Sequence, residues 1–184
     1  MKQIPHYFIG IEIPLSVKEV LHTFSNGCVP KNIYKTWTYK DDFHITLSFL
    51  GAVQKEVLGI LIERLHNLQN RSFSATLTEI DTFGKKERPR VLYVTVQKEK
   101  AIVQLYDEIQ KIVEQTLGQK ETRPYTPHIT IAKKWNQSFR SHDLKIEQDL
   151  DVPITFMVKR VHVYKIEPNN HPKYTTVAMI NLDY

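Results

Sequence analysis

Two nearly identical stretches, HITL at residues 44–47 and HITI at residues 128–131, constrain this chain more than any other feature. Each lies in an apolar, β-prone run, and alternate side chains of a strand project from the same face. Each copy therefore presents one imidazole and one hydroxyl on one face, while its aliphatic residues point into a core. Brought together, the copies would surround one small pocket with four polar side chains: His44, Thr46, His128 and Thr130.

Such a pocket is suited to acid–base chemistry on an anionic substrate, because an imidazole can exchange a proton near neutral pH. A single His-x-Thr is a weak signal, since a lone histidine on a strand is more often structural. The repetition favours the functional interpretation, with His44 and His128 as catalytic residues and the hydroxyls of Thr46 and Thr130 beside them in the pocket. Two structural histidines are the alternative.

The two histidines stand 84 positions apart, and other strand-like segments recur at the same offset. Residues 7–11 match residues 91–95, and residues 73–80 match residues 157–164. The simplest interpretation is an internal duplication. We therefore expect one domain over residues 1–184, with lobes built around residues 7–82 and 91–166 and a final strand at residues 174–182.

Helical spacing of apolar residues occupies matching places between these strands. Ser16 and Glu19 have the spacing of a capping box at the start of the first helix. Gly118 is placed to end the helix of the second half. A strand is predicted at residues 154–166, and residues 30–42 are predicted to be a loop-rich approach to the first motif.

The overall charge and the cysteine content restrict the partners of the chain. Its formal net charge of +5 suits an anionic substrate without requiring extended wrapping of nucleic acid. One cysteine, Cys28, allows no intrachain disulfide and no thiolate cluster for zinc. The first residues lack the apolar run of a signal peptide and no stretch approaches the length of a membrane span, so we expect neither. We expect a cytoplasmic protein, monomeric, that needs no metal and no cofactor.

Four further residues are candidates for substrate binding, each with a structural alternative. Trp37 precedes the first motif, where it would either pack in the core or stack on a base. Arg90 closes a basic segment, residues 84–90, which is either a solvated hairpin or a rim that guides phosphate. Arg123 and Lys133 flank the second motif, and a guanidinium there is suited to phosphate oxygens, although Arg123 could be a plain surface residue.

Together, these segments resemble a known family of enzymes. The paired motifs, FHITLSFLG at residues 43–51 and RPYTPHITIAK at residues 123–133, resemble the two-histidine (2H) phosphoesterase superfamily. Within it, the opening YFIGIEIP at residues 7–14 and PRVLYV at residues 89–94 are similar to the RNA 2′,3′-cyclic phosphodiesterases, also called 2′-5′ RNA ligase-like proteins. The match spans nearly the whole chain. Lys133 and Lys134 stand where relatives often carry Ala-Arg, and Thr126 stands where an arginine is common.

The resemblance implies an α+β, bilobal fold, with two pseudo-twofold-related antiparallel sheets, helices on the outer faces and a central cleft. It also implies hydrolysis of an RNA-terminal 2′,3′-cyclic phosphate to a 2′-phosphomonoester by two-histidine general acid/base catalysis, with Thr46 and Thr130 binding the phosphate. Two alternatives remain open. One is a phosphodiesterase for small cyclic nucleotides or an ADP-ribose cyclic phosphate, and the other is a non-catalytic module that binds RNA ends. The sequence does not assign which histidine is base and which is acid, nor whether a 2′-5′ ligase activity exists.

Overall fold

The computed structural model describes residues 4–140, 144 and 150–183. Within those residues the chain forms three α-helices and nine strands, in the order β1 (His6–Glu12), α1 (Leu15–Gly27), β2 (Tyr34–Trp37), β3 (His44–Ala52), α2 (Lys55–Leu65), β4 (Phe73–Lys85), β5 (Arg88–Val96), α3 (Lys100–Leu117), β6 (His128–Trp135), β7 (Ile154–Val158), β8 (Arg160–Ile166) and β9 (Tyr174–Asn181). Short 3-10 turns precede β2 and β3.

The strands pair in the order β7-β4-β5-β6-β3-β1-β8-β9, and all of the pairings are antiparallel. Two four-stranded halves meet where Ile45 of β3 pairs with Ile129 of β6. The predicted α+β class with two antiparallel sheets is therefore confirmed. The strand order is symmetric about this junction. On one side it runs outwards through β3, β1 and β8, and on the other through β6, β5 and β4.

The halves of the sheet do not coincide with the halves of the sequence. Strand β4, from the first half of the sequence, pairs with β5, and β8, from the second half, pairs with β1. The predicted single strand at residues 154–166 is wrong, because the chain crosses between the halves at Lys159. Strand β7 pairs with β4 and β8 pairs with β1, at opposite sides of the junction. The internal duplication stays a prediction, and so does the assignment of residues 1–184 to one domain.

Strand β2 lies in the segment predicted to be only a loop. It pairs with the outer edge of β6, through Tyr34 with Trp135 and Thr36 with Lys133. That same edge of β6 pairs with β3 at Ile129. Strand β2 therefore covers this edge of β6 beyond the point where β3 begins at His44, and β3 and β6 share only the pair at the junction.

The helices cover the sheet with their apolar faces. Helix α1 buries Val17, Leu21 and Phe24, and α2 and α3 pack on each other, with α3 also against β3. The predicted capping box is wrong, because α1 begins at Leu15 after Pro14 and its N-terminus has no side-chain cap. The predicted end of α3 is confirmed, since Gly118 adopts the left-handed conformation with φ of 67°. No helix of the described part of the chain is long and apolar enough to cross a membrane.

Candidate active site at the junction of β3 and β6

The two motifs form the first residues of the two strands that meet at the junction, β3 and β6. Ile45 and Ile129 are fully buried and pair with each other, so the side chains before and after them lie on the opposite, partly exposed face. Because the strands are antiparallel, His44 lies on the Thr130 side of this pair and Thr46 on the His128 side. The junction therefore brings both motifs to one surface.

Each histidine is oriented by a backbone carbonyl two residues upstream. Nδ1 of His44 lies 2.7 Å from the backbone oxygen of Asp42, and Nδ1 of His128 lies 2.8 Å from that of Thr126. A carbonyl only accepts, so Nδ1 carries the hydrogen in both rings. Each neutral ring therefore presents the lone pair of Nε2. In His44 this atom lies 3.0 Å from Oγ1 of Thr46, whose hydroxyl is then the donor.

Asp42 connects His44 to a distant loop. Its carboxylate is buried, with 4% of the residue exposed. The oxygens accept hydrogen bonds from the backbone N–H of Lys173, at 2.9 and 3.1 Å, and from that of Tyr174, at 3.2 Å. The same residue therefore anchors the start of β9 and supplies the carbonyl that orients His44.

Aromatic rings enclose His44 and lower the pKa of its imidazole. The ring centroids of Phe8, Tyr174 and Tyr164 lie 4.6, 5.1 and 6.1 Å from that of His44. The pKa of His44 is lowered to about 4, mainly by burial; the positive charges of His128, Lys133 and Lys18 contribute to the shift, and the hydrogen bond to the Asp42 carbonyl opposes it. His44 is therefore neutral at pH 7 in the free protein.

Gly10 of β1 provides the space for this ring. A Cβ on Gly10 would lie 2.9 Å from the backbone oxygen of Ile45 and 3.5 Å from Cδ2 of His44. Any side chain at this position would push β3 away, and His44 with it.

His128 has a similar but smaller aromatic environment. The centroids of Phe83 and Tyr93 lie 4.9 and 5.1 Å from its ring. Burial lowers the pKa of His128, and the hydrogen bond to the Thr126 carbonyl opposes the shift. Both imidazoles are therefore poised to accept a proton, and an anion bound between them would raise both pKa values by favouring the charged rings.

A cavity of about 670 Å³, hereafter the first cavity, opens beside the motifs. Thr46, His128 and Thr130 line it, and Phe49, which is 61% exposed, forms part of its wall. Three of the sequence-predicted binding residues also line this cavity: Arg90, Arg123 and Lys133.

The sequence of the chain is similar to that of known proteins. Residues 30–170 match the model of the 2′-5′ RNA ligase superfamily. The chain belongs to this superfamily. Its sequence is 33% identical, over 97% of both chains, to a protein of Bacillus subtilis named RNA 2′,3′-cyclic phosphodiesterase. It is 29% identical to a Geobacillus stearothermophilus protein of the same name, covering 96% of this chain and 57% of that one. The predicted family is confirmed.

The same fold is also found in solved structures of other proteins. The structure of E. coli LigT complexed with 3′-AMP superimposes with a TM-score of 0.79 at 19% identity, covering 98% of this chain and 99% of that one. At this identity the likeness concerns the fold, and it agrees with the two-halved antiparallel architecture.

The candidate binding residues differ in their exposure and in the contacts that their side chains already make. The Arg90 side chain is exposed at the rim of the first cavity. Arg123 forms a two-pronged ion pair with Glu121, with nitrogen–oxygen distances of 3.0 and 2.8 Å, although its side chain is 84% exposed. Glu121 therefore uses two of the five N–H donors of Arg123, and contact between the remaining donors and a phosphate stays a prediction.

Trp37 is not part of the first cavity. Its indole N–H donates to the backbone oxygen of Lys31 at 2.9 Å, and the Lys31 amine lies 4.0 Å above the ring. The side chain lines a separate second cavity of about 320 Å³. One face of the indole is therefore covered, and base stacking on Trp37 stays a prediction that needs the other face.

Lys133 is the residue that borders both cavities. Burial lowers the pKa of its amine, with the neighbouring charges of Lys173 and Lys134 adding to the shift and Asp42 opposing it. The pairing of Lys133 with Thr36 of β2 and Val91 of β5 fixes its backbone between these two strands.

Sequence reasoning missed Asp42 and the aromatic residues around His44. An acidic pair, Asp41 and Asp42, stands directly before the first motif, but nothing in its spacing indicates which of the two is buried. Tyr164 and Tyr174 follow His44 by more than a hundred positions. Only strand order could bring them to this site.

Among residues 4–140, 144 and 150–183, no three His, Cys, Asp or Glu side chains are grouped so as to hold a metal ion. Whether the reaction proceeds without a metal stays a prediction.

Proposed function

We propose that this superfamily member hydrolyses RNA-terminal 2′,3′-cyclic phosphates to 2′-phosphomonoesters, with His44 and His128 as the general acid/base pair. The observation that carries the proposal is the meeting of two His-x-Thr motifs at one strand junction, where each ring uses Nδ1 for a backbone carbonyl and leaves Nε2 for the chemistry, that of His44 once Thr46 turns away. The names of the Bacillus and Geobacillus relatives support this substrate class.

The reaction needs two proton transfers around one phosphorus atom. One neutral imidazole removes a proton from water as the water oxygen bonds to phosphorus. The other ring, protonated, gives its Nε2 proton to the departing 3′ oxygen as the bond from phosphorus to that oxygen breaks. The product carries a 2′-phosphate and a free 3′ hydroxyl, and the two histidines have exchanged protonation states.

The low pKa of His44 in the free protein is compatible with either role. A cyclic phosphate is an anion, and its charge near the rings favours the imidazolium form. Binding of substrate would therefore raise the pKa of whichever ring acts as acid. The two rings are alike in orientation, so the roles are assigned by the pH dependence of variants.

The threonines would stabilise the charge that develops on the non-bridging oxygens. Thr46 donates to Nε2 of His44 in the free protein, and turning its hydroxyl towards phosphate would release that lone pair. Arg90 and Lys133, at the first cavity, would add positive charge, and Arg123 would add the N–H donors that Glu121 does not use.

The decisive experiment compares three substrates under equal conditions: an oligonucleotide with a 2′,3′-cyclic phosphate end, a mononucleoside 2′,3′-cyclic phosphate and an ADP-ribose cyclic phosphate. We expect the highest kcat/KM for the oligonucleotide, and ³¹P NMR should identify a 2′-phosphomonoester as the product. A preference for either small substrate would reject the RNA assignment. Tight binding without turnover of all three would instead favour a binding module.

The metal-free scheme has a direct test. Prolonged treatment with a chelator, followed by assay in chelator-containing buffer, should leave kcat unchanged. Abolition of activity, restored by a divalent cation, would reject the two-histidine mechanism as proposed.

A further inference from the structure

The second cavity has a place in the fold that the proposed chemistry does not use. It lies on the β2 side of Lys133, which borders both cavities, so the two meet at this side chain. Its volume of about 320 Å³ is within the range of small-ligand sites. Four separate parts of the chain form the walls, namely the second half of α1, residues 31–42, Lys133 of β6 and residues 171–174.

The walls of this cavity are positively charged. Among the described lining residues, Lys31, Lys133 and Lys173 face one carboxylate, that of Asp42. That carboxylate already accepts three backbone hydrogen bonds from Lys173 and Tyr174. The cavity therefore offers excess positive charge to an anion.

The lysines differ in how they are held. The Lys31 amine donates to the backbone oxygen of Ser25 at 2.7 Å and to Oδ1 of Asn26 at 3.1 Å, so it is a fixed charge in the wall. Lys173 and Lys133 repel each other, and this repulsion contributes to the lowered pKa of Lys133. An anion between these two amines would remove the repulsion and gain charge-assisted hydrogen bonds.

An exposed aromatic ring stands at the same cavity. Tyr39 is 47% exposed, and its ring centroid lies 6.0 Å from that of His171. On the inner side, Tyr174 lines the cavity and also contacts the ring of His44. The cavity thus extends from a ring that touches the candidate catalytic histidine to a ring that is open to solvent.

We propose that the second cavity binds the phosphate that joins the terminal nucleotide to the preceding one, with Lys133 and Lys173 contacting that phosphate and Tyr39 stacking on the preceding base. This proposal rests on the proposed function, since it places the cyclic phosphate at the two motifs. It makes the protein selective for RNA of two or more nucleotides, because a mononucleoside cyclic phosphate leaves this cavity empty.

A series of three ligands of increasing length, hereafter the ladder, distinguishes the phosphate contact from the base-stacking contact. All end in a 2′-phosphate, the product of the proposed reaction: a nucleoside, the same nucleoside with a 5′-phosphate, and a dinucleotide. The wild-type protein should gain about tenfold in affinity from the 5′-phosphate, as expected for a charge-assisted hydrogen bond. It should gain about tenfold again from the added nucleoside, as expected for base stacking.

Each gain has its own variant and matched control. Lys173→Gln should remove most of the gain from the 5′-phosphate, leaving only the contact of Lys133; it removes the amine but keeps the backbone N–H that donates to the Asp42 carboxylate. Lys111→Gln on α3 makes the same change at an exposed residue that lines neither cavity, and its gain should equal that of the wild type. Tyr39→Ala should abolish the gain from the added nucleoside, whereas Tyr39→Phe should keep it because the ring remains.

The measurement is equilibrium binding by isothermal titration calorimetry at several salt concentrations, and it needs no turnover. Absence of hydrolysis of every cyclic substrate would reject the proposed function, while the ladder would still decide the role of the cavity. Equal affinity for all three ligands would overturn the proposal. So would a gain from the 5′-phosphate that survives Lys173→Gln and disappears in Arg90→Gln, since the phosphate would then lie in the first cavity.

Discussion

Nδ1 of His44 lies 2.7 Å from the backbone oxygen of Asp42, whose buried carboxylate accepts hydrogen bonds from the backbone of Lys173 and Tyr174. The candidate catalytic ring is thus held by a residue that is itself fixed by a loop 131 positions away in sequence. A change in the position of that loop should therefore alter the orientation of the His44 ring.

Asp42→Asn tests this connection. An amide oxygen at the Oδ1 position keeps the contacts with both backbone donors, but the NH₂ group then replaces Oδ2 and faces the Lys173 N–H, so one contact becomes repulsive and the two bonds lose the carboxylate charge. We expect the free energy of unfolding to fall by about 1–3 kcal/mol and kcat to fall by about tenfold. Urea denaturation and steady-state kinetics measure the two effects. Asp41→Asn, an exposed neighbour, is the control and should change neither.

The two histidines should be individually essential. Because general acid–base groups contribute about 10²- to 10⁴-fold each, His44→Ala and His128→Ala should each lower kcat on a cyclic phosphate by that order. The double variant should lose less than the product of the single losses, because the pair acts as a unit.

The pH–rate profile assigns the roles of the pair. It should be bell-shaped in the wild type, and each single variant should lack one limb, the acidic limb when the base is removed and the basic limb when the acid is removed. Near-full activity of either single variant would contradict two-histidine catalysis.

The stability of the protein should rise with pH across the acid range because of His44. Its pKa is lowered from 6.5 to about 4 by burial, so between these values the unfolded chain binds a proton that the folded protein does not. The stability that the neutral ring provides is present above pH 6.5 and is lost as pH falls towards 4, by up to about 3 kcal/mol. Urea titrations from pH 4 to 7.5 should show this slope, and His44→Gln should flatten it. An equal slope in that variant would assign the effect to other groups.

The threonines should matter less than the histidines. Thr46→Ala and Thr130→Ala each remove one neutral donor and leave both proton-transfer groups, so we expect kcat to fall by up to about tenfold. Thr46→Ser and Thr130→Ser keep the hydroxyl and should retain most of the activity. Losses as large as those of the histidine variants would mean that the hydroxyls position the rings, as the bond from Thr46 to Nε2 of His44 allows.

The basic hairpin between β4 and β5 should act through its field rather than by contact. Lys85, Lys86 and Arg88 are exposed at its tip and line neither cavity. Replacing all three with Gln should raise KM for an oligonucleotide by roughly threefold and flatten its salt dependence. A control triple variant at Lys55, Lys98 and Lys111 makes the same charge change elsewhere on the surface. Equal kinetics of the two triple variants would make the hairpin a plain solvated turn.

The sequence was sufficient to predict the polar face of each motif. A strand alternates with period two, so the buried isoleucines at 45 and 129 force His44 and Thr46, and likewise His128 and Thr130, onto one opposite face. The recurrence at 84 positions predicted that these faces belong to equivalent strands, and β3 and β6 do occupy mirrored places in the sheet. Both results depend on local geometry, which a one-dimensional pattern carries.

Strand order, in contrast, could not be read from the sequence. The segment at residues 154–166 is a continuous strand-like run, yet β7 and β8 lie in opposite halves because each pairs with a different partner. Strand β2 was missed for a related reason, since a four-residue strand is held by its pairing with β6 rather than by its own pattern.

The sequence by itself determined which residues carry the proposed chemistry, because residue type and strand period are local properties. Only the tertiary structure decided what surrounds them. Phe8, Tyr164 and Tyr174 reach His44 from β1, β8 and β9, and the Lys173 backbone reaches Asp42. The low pKa of His44 and the two cavities on either side of Lys133 depend on contacts between residues far apart along the chain. Pairing and burial fix such contacts, and no periodicity records them.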